Sequence, residues 1–482
     1  MKPIAALSVT PEVYPLIKTG GLADVAGALP GALAAEHVEL RTLCPGYRPV
    51  LAALDEAETV ARVDDLFGGP ARVLAGKAGG LDLFAIDAPH LYDRDGGPYA
   101  GPDGRDFADN AFRFAALSKV GAEIGLGLIE GWRPRVVHAH DWQAGLTAAY
   151  FHYSGRPRPG SLITVHNLAF QGQFPVAVFP ALGLPPRAFS IEGVEYYGGV
   201  GFLKAGLQLA DRVTTVSPTY AEEIQQGHSG MGLDGLLRMR GSQLAGVLNG
   251  IDTTVWNPET DPMIAAPFSA KTIVARAENK KALQARMGLA HAPDRLLIGV
   301  VSRLSWQKGL DLLLACLNFF DEHNAQLVLL GTGDPALEAA FQDAARQHPG
   351  RIAVHFAYEE PLAHLIQAGS DAILVPSRFE PCGLTQLCAM RYGAVPVVAR
   401  VGGLADSVID ANEMAIHANC ATGLQFSPVT SEALAGALRR CAALHARKPV
   451  WKKVQLNGLK TNVGWSIPAK HYAALYREVA PA

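Results

Sequence analysis

A lysine and two consecutive glycines follow the first apolar run of the sequence. The segment Lys18-Thr19-Gly20-Gly21 lies between an apolar strand pattern and an apolar helix pattern. Glycine lets backbone N–H groups approach an oxyanion closely, and the amino end of a helix adds the positive end of its dipole. The segment therefore predicts a site for a negatively charged group. A βα turn with a surface lysine is an equally good interpretation of these residues alone.

Two further cations follow an apolar run in the second half of the chain. The segment "VVSRLSWQKGLDLLL" places Arg303 and Lys308 between a strand pattern and a helix pattern. A guanidinium fork and an ammonium point charge both suit phosphate. A pair of solvated surface charges would give the same pattern. Because each half of the chain carries such a group, we expect a diphosphate to be the ligand.

The segment "AILVPSRFEPCGLTQLCAM" places an acid after a buried strand. Glu380 lies in the loop, and the N–H groups of Cys382 to Thr385 begin the next helix. A carboxylate at this position could accept hydrogen bonds from sugar hydroxyls, or it could simply cap the helix. Cys382 as a nucleophile is a weaker hypothesis, because no histidine partner is assigned to it.

Histidines and paired acids raise the question of a metal. His138 and His140 lie two apart in a strand pattern, and Asp93 and Asp95 lie two apart between glycines. Neither pair has a further ligand at metal spacing, so we predict no metal site and interpret the acids as an exposed turn. His166 ends another apolar strand, where a structural role competes with a catalytic one.

A dinucleotide-like pattern occurs at Gly331-x-Gly333-x-x-Ala336. The next strand pattern does not end in a suitable ribose-binding acid, so we interpret these glycines as a tight structural turn.

Composition limits the class of protein. The chain has 482 residues, of which 49% are hydrophobic and 18% charged, and its formal net charge is −3. This length predicts two or more domains, and this charge argues against nucleic acid as the main partner. The six cysteines are scattered, which favours reduced thiols, and the amino-terminal apolar run is too short to span a membrane. We therefore predict a cytoplasmic protein without a membrane partner, and the sequence is compatible with a homo-oligomer.

The elements that must position these residues form two groups. Continuous apolar runs such as "VELRTLCP" and "AILVPS" alternate with helical patterns, which is typical of parallel strands covered on both faces. The fold class is therefore α/β, with two Rossmann-like doubly wound parallel-sheet domains. An Asn-, Asp- and Pro-rich stretch places their boundary near residues 250–260. We expect the two domains to face each other across a cleft, with ligands at the carboxyl ends of the strands.

The motifs taken together resemble those of one enzyme family. "KTGGLADV", "HAHDWQAGL", "VHNLAFQG", "VLNGID", "SRLSWQKGLDLL" and "PSRFEPCGLTQL" occur in this order in bacterial glycogen synthases and plant starch synthases. The resemblance implies a retaining glycosyltransferase of the GT-B kind that uses ADP-glucose as donor and an α-1,4-glucan such as glycogen as acceptor, without a cofactor. It implies an N-terminal domain over residues 1–250, a nucleotide-sugar domain over 255–464, and a last helix over 465–482 that packs back on the first domain.

The resemblance also implies roles for individual residues. Lys18, His166, Arg303, Lys308 and Glu380 are the expected catalytic residues. The expected donor-binding residues are Gly20, Gly21, Asp24, Asn249, Tyr358, Cys382, Gly383, Leu384 and Thr385. The expected acceptor-binding residues are Tyr99 and Asp141.

Other functions remain open at the level of the sequence. A UDP-sugar transferase or a glucan phosphorylase would share the fold, and a phosphorylase would need a lysine-bound pyridoxal phosphate. A non-catalytic glucan- or nucleotide-binding protein would not need the charged residues. A dehydrogenase would rest on Gly331 and Gly333 alone.

Overall fold

Strands and helices alternate along most of the chain. The structure, a computed structural model, describes residues 3–481. The strands are β1 (Ile4–Val9), β2 (Val38–Pro45), β3 (Asp55–Val63), β4 (Ala71–Ala78), β5 (Leu81–Asp87), β6 (Val136–His140), β7 (Gly160–Val165), β8 (Gln173–Phe174), β9 (Glu195–Tyr196), β10 (Gly199–Gly201), β11 (Arg212–Thr215), β12 (Leu244–Gly246), β13 (Leu297–Val301), β14 (Gln326–Leu330), β15 (Ile352–His355), β16 (Ala372–Val375), β17 (Val395–Ala399) and β18 (Leu424–Phe426). The α-helices are α1 (Gly21–Ala34), α2 (Arg48–Ala52), α3 (Pro89–Tyr92), α4 (Asn110–Gly125), α5 (Leu146–Ser154), α6 (Phe202–Leu209), α7 (Pro218–Glu223), α8 (Asp234–Met239), α9 (Arg276–Arg286), α10 (Leu310–Leu314), α11 (Asn318–Glu322), α12 (Pro335–Gln347), α13 (Glu360–Gly369), α14 (Thr385–Arg391), α15 (Gly402–Ser407), α16 (Glu413–His417), α17 (Ser431–Ala446), α18 (Lys448–Lys460) and α19 (Ser466–Val479). Short 3-10 helices cover Trp142–Ala144, Val176–Leu182, Pro186–Ala188, Gly241–Gln243, Ile273–Ala275 and Trp306–Lys308. No helix within residues 3–481 is long and apolar enough to cross a lipid bilayer.

The chain forms two compact units. Unit 1 runs through Asn249 and includes the chain from Trp465 onward, and unit 2 is Gly250–Gly464. Each unit has its own sheet and its own hydrophobic clusters. The α/β class with parallel sheets is confirmed.

Unit 1 is built on a nine-stranded sheet in the order β12-β11-β7-β6-β1-β2-β5-β4-β3. The strands from β12 to β5 are parallel, whereas β4 and β3 form an antiparallel edge. Every residue of β6 and β7 is buried. Helices cover both faces of these central strands, which is why their sequences are continuously apolar. A small antiparallel sheet, β8-β10-β9, belongs to the same unit.

Helix α1 follows β1 and buries an apolar stripe that includes Leu22, Val25, Leu29 and Leu33. The sequence favours a kink or an end at Pro30. The helix continues through Pro30 to Ala34, so Pro30 does not end the helix, and a kink there stays a prediction. A proline removes the hydrogen bond of its own nitrogen and crowds the carbonyl four residues earlier, and burial of the leucines on either side holds the last turn.

The last helix, α19, completes the core of unit 1. Its Tyr472 and Tyr476 are fully buried against residues of α1 and of the central strands, including Val25, Val136 and Leu162. The hydroxyl of Tyr476 also lies 2.7 Å from Nδ1 of His138 on β6. Apolar packing and a buried hydrogen bond therefore tie this helix to unit 1.

Unit 2 is built on a six-stranded, wholly parallel sheet in the order β15-β14-β13-β16-β17-β18. Adjacent apolar residues of β13 belong to different apolar clusters. Ile298 and Val300 lie in one cluster, and Leu297 lies in the other. Since successive side chains of a strand point to opposite faces, both faces of this sheet are covered.

Candidate functional site

The expected functional residues of unit 1 follow two neighbouring strands. The strand order reverses at β1, which lies between β2 and β6. Lys18 follows β1, and Asp141 follows β6. Ligands of open α/β sheets bind beside the carboxyl ends of the strands where the order reverses. Both residues therefore lie at the edge of the unit 1 sheet where a ligand is expected.

Lys18 is held by an acid and an aromatic ring. Its Nζ lies 2.8 Å from Oδ1 of Asp24, on the first turn of α1, and 5.4 Å from the centre of the Tyr14 ring. Gly20 has an extended backbone with φ −159°, and a Cβ there would contact nothing within 4 Å. Neither backbone conformation nor internal packing requires glycine at position 20. The space beside its backbone is therefore open to a ligand.

Glu12 joins the loop of Lys18 to Tyr99, and the sequence analysis missed it. Its buried carboxylate accepts a hydrogen bond from the Thr19 hydroxyl at 2.7 Å and from the Tyr99 hydroxyl at 2.6 Å. Burial, and secondarily the nearby Glu12, raises the pKa of Tyr99 well above its usual range. The Tyr99 hydroxyl is thus already bonded within the protein, and its contact with an acceptor stays a prediction. The only sign of Glu12 in the sequence is its position as a single acidic residue between β1 and the glycines.

Asp141 accepts a hydrogen bond from the backbone of His166. The N–H group of His166 lies 2.6 Å from Oδ1 of Asp141, which is buried and has φ +56°. Burial raises the pKa of Asp141 to about 7, while the N–H groups of His166 and Asn167 act in the opposite direction. Asp141 is therefore a carboxyl group that can gain or lose a proton near neutral pH.

The ring of His166 is bonded on one side only. Its Nε2 lies 3.0 Å from Nδ1 of His140, whose own Nε2 lies 3.1 Å from the Ser8 hydroxyl. Within residues 3–481, no hydrogen-bond partner is found for Nδ1 of His166. Burial lowers the pKa of His166 to about 3, so its ring is neutral near pH 7. A neutral imidazole with one nitrogen available can hydrogen-bond a sugar hydroxyl.

His138 and His140 use their nitrogens within the protein. Nε2 of His138 lies 2.6 Å from the Thr164 hydroxyl, and its Nδ1 is bonded to Tyr476. Burial lowers the pKa of His138 to about 3. In the described chain, residues 3–481, no group of three or more His, Cys, Asp or Glu residues is arranged to hold a metal ion. The two histidines therefore serve as buried hydrogen-bonding groups.

The second candidate pair of metal ligands is bonded to an arginine. Arg48 donates to the carboxylates of both Asp93 and Asp95, which are exposed. This arrangement is an exposed turn closed by ion pairs, as the sequence favours.

Asn249 is the last residue of the first segment of unit 1. Its side chain is buried, and its Oδ1 has no hydrogen-bond partner in the part of the chain that the structure describes. A buried polar oxygen without a partner is costly. This oxygen is suited to accept a hydrogen bond from a ligand.

The expected functional residues of unit 2 also lie where the strand order reverses. β13 lies between β14 and β16. Arg303 and Lys308 follow β13, and Glu380 follows β16. Like those of unit 1, the three charged residues therefore follow strands at the point of the sheet where a ligand is expected.

Lys308 and Glu380 form a largely buried ion pair. Nζ of Lys308 lies 2.6 Å from Oε2 of Glu380, and the two side chains are 19% and 8% exposed. The hydroxyl of Ser377 donates to the same oxygen at 2.8 Å. Among the described residues, Oε1 of Glu380 has no hydrogen-bond donor. One carboxylate oxygen is thus fixed by the protein, and the other can accept a bond from a ligand.

Two glycines bring helix α15 against the loop of Glu380. A Cβ on Gly402 would lie 2.1 Å from the backbone oxygen of Glu380, and a Cβ on Gly403 would lie 2.3 Å from that of Cys382. Sequence reasoning missed these glycines, although the letters GGLAD occur both at 20–24 and at 402–406. The expected donor-binding residues of this region lie at or just before the start of α14: Cys382, Gly383, Leu384 and Thr385.

The glycines of the dinucleotide-like pattern support the loop of Arg303. A Cβ on Gly331 would lie 1.8 Å from the backbone oxygen of Ser302, and one on Gly333 would lie 2.0 Å from that of Leu304. Leu304 also donates its N–H to Thr332 at 2.8 Å. An internal contact therefore explains these glycines, in agreement with their interpretation as a structural turn.

Arg303 and Tyr358 are the exposed members of the unit 2 group. No carboxylate in residues 3–481 forms an ion pair with the guanidinium of Arg303. Tyr358, which follows β15, is 76% exposed, and its hydroxyl is bonded to Glu360. Exposed aromatic and guanidinium planes are surfaces on which a base or a phosphate can bind.

Comparison with known proteins gives the family. The family model described as "Starch synthase catalytic domain" matches residues 6–239, and "Glycosyl transferases group 1" matches residues 284–448. A glycogen synthase of Rhodopseudomonas palustris (strain BisA53) is 62% identical over 482 residues, covering 100% of this chain and 99% of the relative. The chain belongs to the glycogen synthase family. It is therefore a glucosyltransferase that extends a glucan.

Other members of this family and a solved structure agree. A glycogen synthase of Methylocella silvestris is 59% identical over 479 residues, covering 99% of each chain. The catalytic domain of starch synthase IV from Arabidopsis thaliana, bound to ADP and acarbose, has 29% sequence identity and a TM-score of 0.90 and covers 99% of each chain. The prediction of a glycogen synthase with the GT-B fold is confirmed.

Proposed function

We propose that this glycogen synthase transfers glucose from ADP-glucose to the non-reducing end of an α-1,4-glucan, releasing ADP and retaining the anomeric configuration. The observation that carries the proposal is the charged group of unit 2. Arg303 is exposed in the loop that follows β13, where the strand order reverses, and the same loop carries Lys308, which forms an ion pair with Glu380. A starch synthase of similar structure is bound to ADP and acarbose, which supports a nucleoside diphosphate and a glucan as ligands.

In this proposal, Arg303 and Lys308 bind the diphosphate, and Lys18 contacts a phosphate or the sugar. As the bond between glucose and phosphate breaks, negative charge grows on the departing ADP. Catalysis requires groups that stabilise this developing charge more than they stabilise the substrate. One such preorganised donor contributes roughly 3–4 kcal/mol. Three cations can therefore supply much of the roughly 8–23 kcal/mol by which enzymes lower barriers, without a metal ion.

Glu380 is proposed to hold the glucose hydroxyls. Its Oε2 already accepts hydrogen bonds from Lys308 and Ser377, which fix the orientation of the carboxylate and leave Oε1 to accept hydrogen bonds from the sugar. The backbone of Cys382, Gly383 and Leu384 would complete the sugar site, with Thr385 at the phosphate.

The remaining contacts lie in both units. His166 would contact the glucose through the nitrogen that His140 does not occupy. Asn249 would bond the donor through its unpartnered Oδ1. Tyr358 would stack on the adenine, and Asp141 and Tyr99 would line the acceptor side.

Retention has two chemical routes. In one, a carboxylate attacks the sugar first and forms a covalent glucosyl-enzyme, as in retaining glycosidases. In the other, the acceptor hydroxyl attacks from the face that ADP leaves, and the departing phosphate takes its proton. We favour the second route, because Glu380 is bonded in a way that suits hydroxyl binding. A covalent glucosyl adduct trapped in the absence of acceptor would contradict it.

A direct donor comparison tests the proposed function. ADP-glucose and UDP-glucose are offered separately with glycogen and EDTA, and nucleotide release is measured together with incorporation of glucose into the polymer. We expect ADP-glucose to be used and EDTA to have no effect. Preference for UDP-glucose would contradict the proposed donor, and loss of activity in EDTA would contradict the metal-free chemistry. The enzyme is proposed to act in the cytoplasm.

A further inference from the structure

Two loops of unit 2 carry the charged groups of the proposed site. The first, defined here as the cationic loop, is residues 302–309 and contains Arg303 and Lys308. The second, the acidic loop, is residues 376–383 and contains Glu380. The Lys308–Glu380 ion pair joins the two loops at their functional side chains. A second set of hydrogen bonds, which does not involve that pair, also joins the two loops.

Arg378 is the centre of these bonds. Its guanidinium donates to both carboxylate oxygens of Asp311, from Nη1 at 2.7 Å and from Nη2 at 2.6 Å. Nη1 also donates to the backbone oxygen of Trp306 at 2.7 Å. The guanidinium lies 4.7 Å from the centre of the Trp306 ring. One side chain of the acidic loop therefore contacts the cationic loop and the helix that follows it, α10.

Two further hydrogen bonds to backbone oxygens strengthen the same junction. The backbone N–H group of Arg378 donates to the backbone oxygen of Gln307 at 2.8 Å, and the side-chain Nε2 of Gln307 donates to the backbone oxygen of Phe379 at 3.2 Å. The bonded residues Gln307 and Phe379 are the immediate neighbours of Lys308 and Glu380. The separation of the two functional side chains is therefore set by bonds one residue away from each.

We propose that Arg378, paired with Asp311, is a positioning residue that fixes Lys308 against Glu380 for glucosyl transfer. This inference rests on the proposed roles of Lys308 and Glu380. An arginine fork on a carboxylate fixes direction as well as distance, which a lysine cannot do. The pairing lowers the pKa of Asp311 through its hydrogen bond with Arg378 and raises the pKa of Arg378 for the same reason. Both groups are thus charged at neutral pH.

The Arg378–Asp311 pair affects the positions of Lys308 and Glu380 more than it affects the stability of the fold. The side chains of Arg378 and Asp311 are 19% and 41% exposed. Ion pairs of this exposure add little to the stability of a fold. A displacement of catalytic groups by about 1 Å, in contrast, lowers rates by about 100-fold. Loss of the pair should therefore reduce turnover much more than it reduces the melting temperature.

The test compares Arg378→Gln, Asp311→Asn and the double variant with the wild-type enzyme. We expect each single variant to lower kcat/KM for ADP-glucose by about 10- to 100-fold, with the KM for glycogen within about twofold of wild type. The double variant should have the same kcat/KM as Arg378→Gln, because both substitutions remove the same ion pair. Arg378→Lys should recover part of the loss. A change below about threefold in Arg378→Gln, or independent multiplying losses in the double variant, would overturn the inference.

Another ion pair of unit 2 provides the matched control. Nη2 of Arg440 lies 2.9 Å from each carboxylate oxygen of Asp410, on residues that we assign no role in the reaction. Arg440→Gln should lower the melting temperature about as much as Arg378→Gln and leave kcat/KM within about twofold of wild type. Equal kinetic losses in the two variants would show a general effect of stability and would overturn the inference.

A crystal structure of Arg378→Gln separates this inference from the proposed function. We expect the 2.6 Å contact between Lys308 and Glu380 to be lost or lengthened in the variant. If it is kept, the positioning role is wrong, whatever the enzyme transfers. If it is lost while the wild-type enzyme releases no ADP with glycogen, the positioning of Lys308 stands and the proposed reaction fails.

Discussion

Replacing Glu380 by glutamine should separate nucleotide binding from sugar transfer. The substitution keeps the size of the side chain and removes its charge, so Lys308 loses its ion-pair partner at 2.6 Å. Lys308 is then a more available cation for phosphate. ADP lacks the sugar that Glu380 is proposed to hold. We therefore expect the Kd of ADP to stay unchanged or to fall by several-fold.

The transfer reaction should respond in the opposite direction. A hydrogen bond to a charged group contributes about 1.5–3 kcal/mol. If Glu380 bonds one or two glucose hydroxyls more tightly in the transition state, its loss costs about 2–6 kcal/mol, which is about 30- to 25,000-fold in kcat/KM for ADP-glucose. Calorimetric titration with ADP and a coupled assay of ADP release with glycogen measure the two quantities.

A second ion pair at the other end of the same strand is the control. Asp371 precedes β16, and its carboxylate lies 2.7 Å from Nζ of Lys280, with side chains 14% and 8% exposed. Asp371→Asn should lower the melting temperature and keep kcat/KM within about twofold. The reasoning is refuted if Glu380→Gln weakens ADP binding as much as it slows transfer, because Glu380 would then act on the nucleotide or on folding.

Three further variants test other parts of the structure. Arg303→Ala should lower kcat/KM by at least about 100-fold with an unchanged melting temperature, because the exposed guanidinium has no ion pair among residues 3–481 and one preorganised donor contributes roughly 3–4 kcal/mol; near-normal kcat would disprove the diphosphate role. Gly331→Ala should lower both stability and kcat/KM, since its φ is +151° and its Cβ would lie 1.8 Å from Ser302 O; a fully active, equally stable variant would show that the turn does not support Arg303. His138 has its pKa lowered by burial to about 3, so its contribution to stability is complete above about pH 6.5 and is lost as the pH falls towards 3. His138→Gln should therefore flatten the acid loss of stability by about 1.4 kcal/mol per pH unit between pH 6 and 4, read as a smaller fall in Tm by calorimetry, and an unchanged slope would contradict the burial argument.

The sequence predicts the buried strands well and the exposed ones poorly. The run "VELRTLCP" coincides with β2, and the run "AILVPS" begins with β16. Helices cover these strands, so their sequences are continuously apolar. The antiparallel edge strand β3 was missed, because its exposed residues carry no apolar run. β18 was missed because three residues are too few to show a pattern.

The sequence predicts which loops carry the site but not how the loops are held. Lys18, Arg303 and Glu380 could be selected because each follows an apolar strand, and parallel strands present their carboxyl ends at one edge. Glu12 and Arg378 could not be selected from the sequence, because their partners, Tyr99 and Asp311, are distant along the chain. Contacts of this kind depend on the folded backbone, and spacing in a single sequence does not mark them.

The position of α19 has a consequence for synthesis on the ribosome. The strands of unit 1 emerge first, but Tyr472 and Tyr476, which cover Val25 and Leu162, emerge only after all of unit 2. At ~5–20 residues per second, translation of Gly250–Gly464 takes roughly 10–40 s. Throughout that interval the nascent first unit exposes an apolar face, and Nδ1 of His138 lacks its Tyr476 partner. A chain that terminates early keeps this face exposed, which marks it for chaperones and proteases before it can bind substrate.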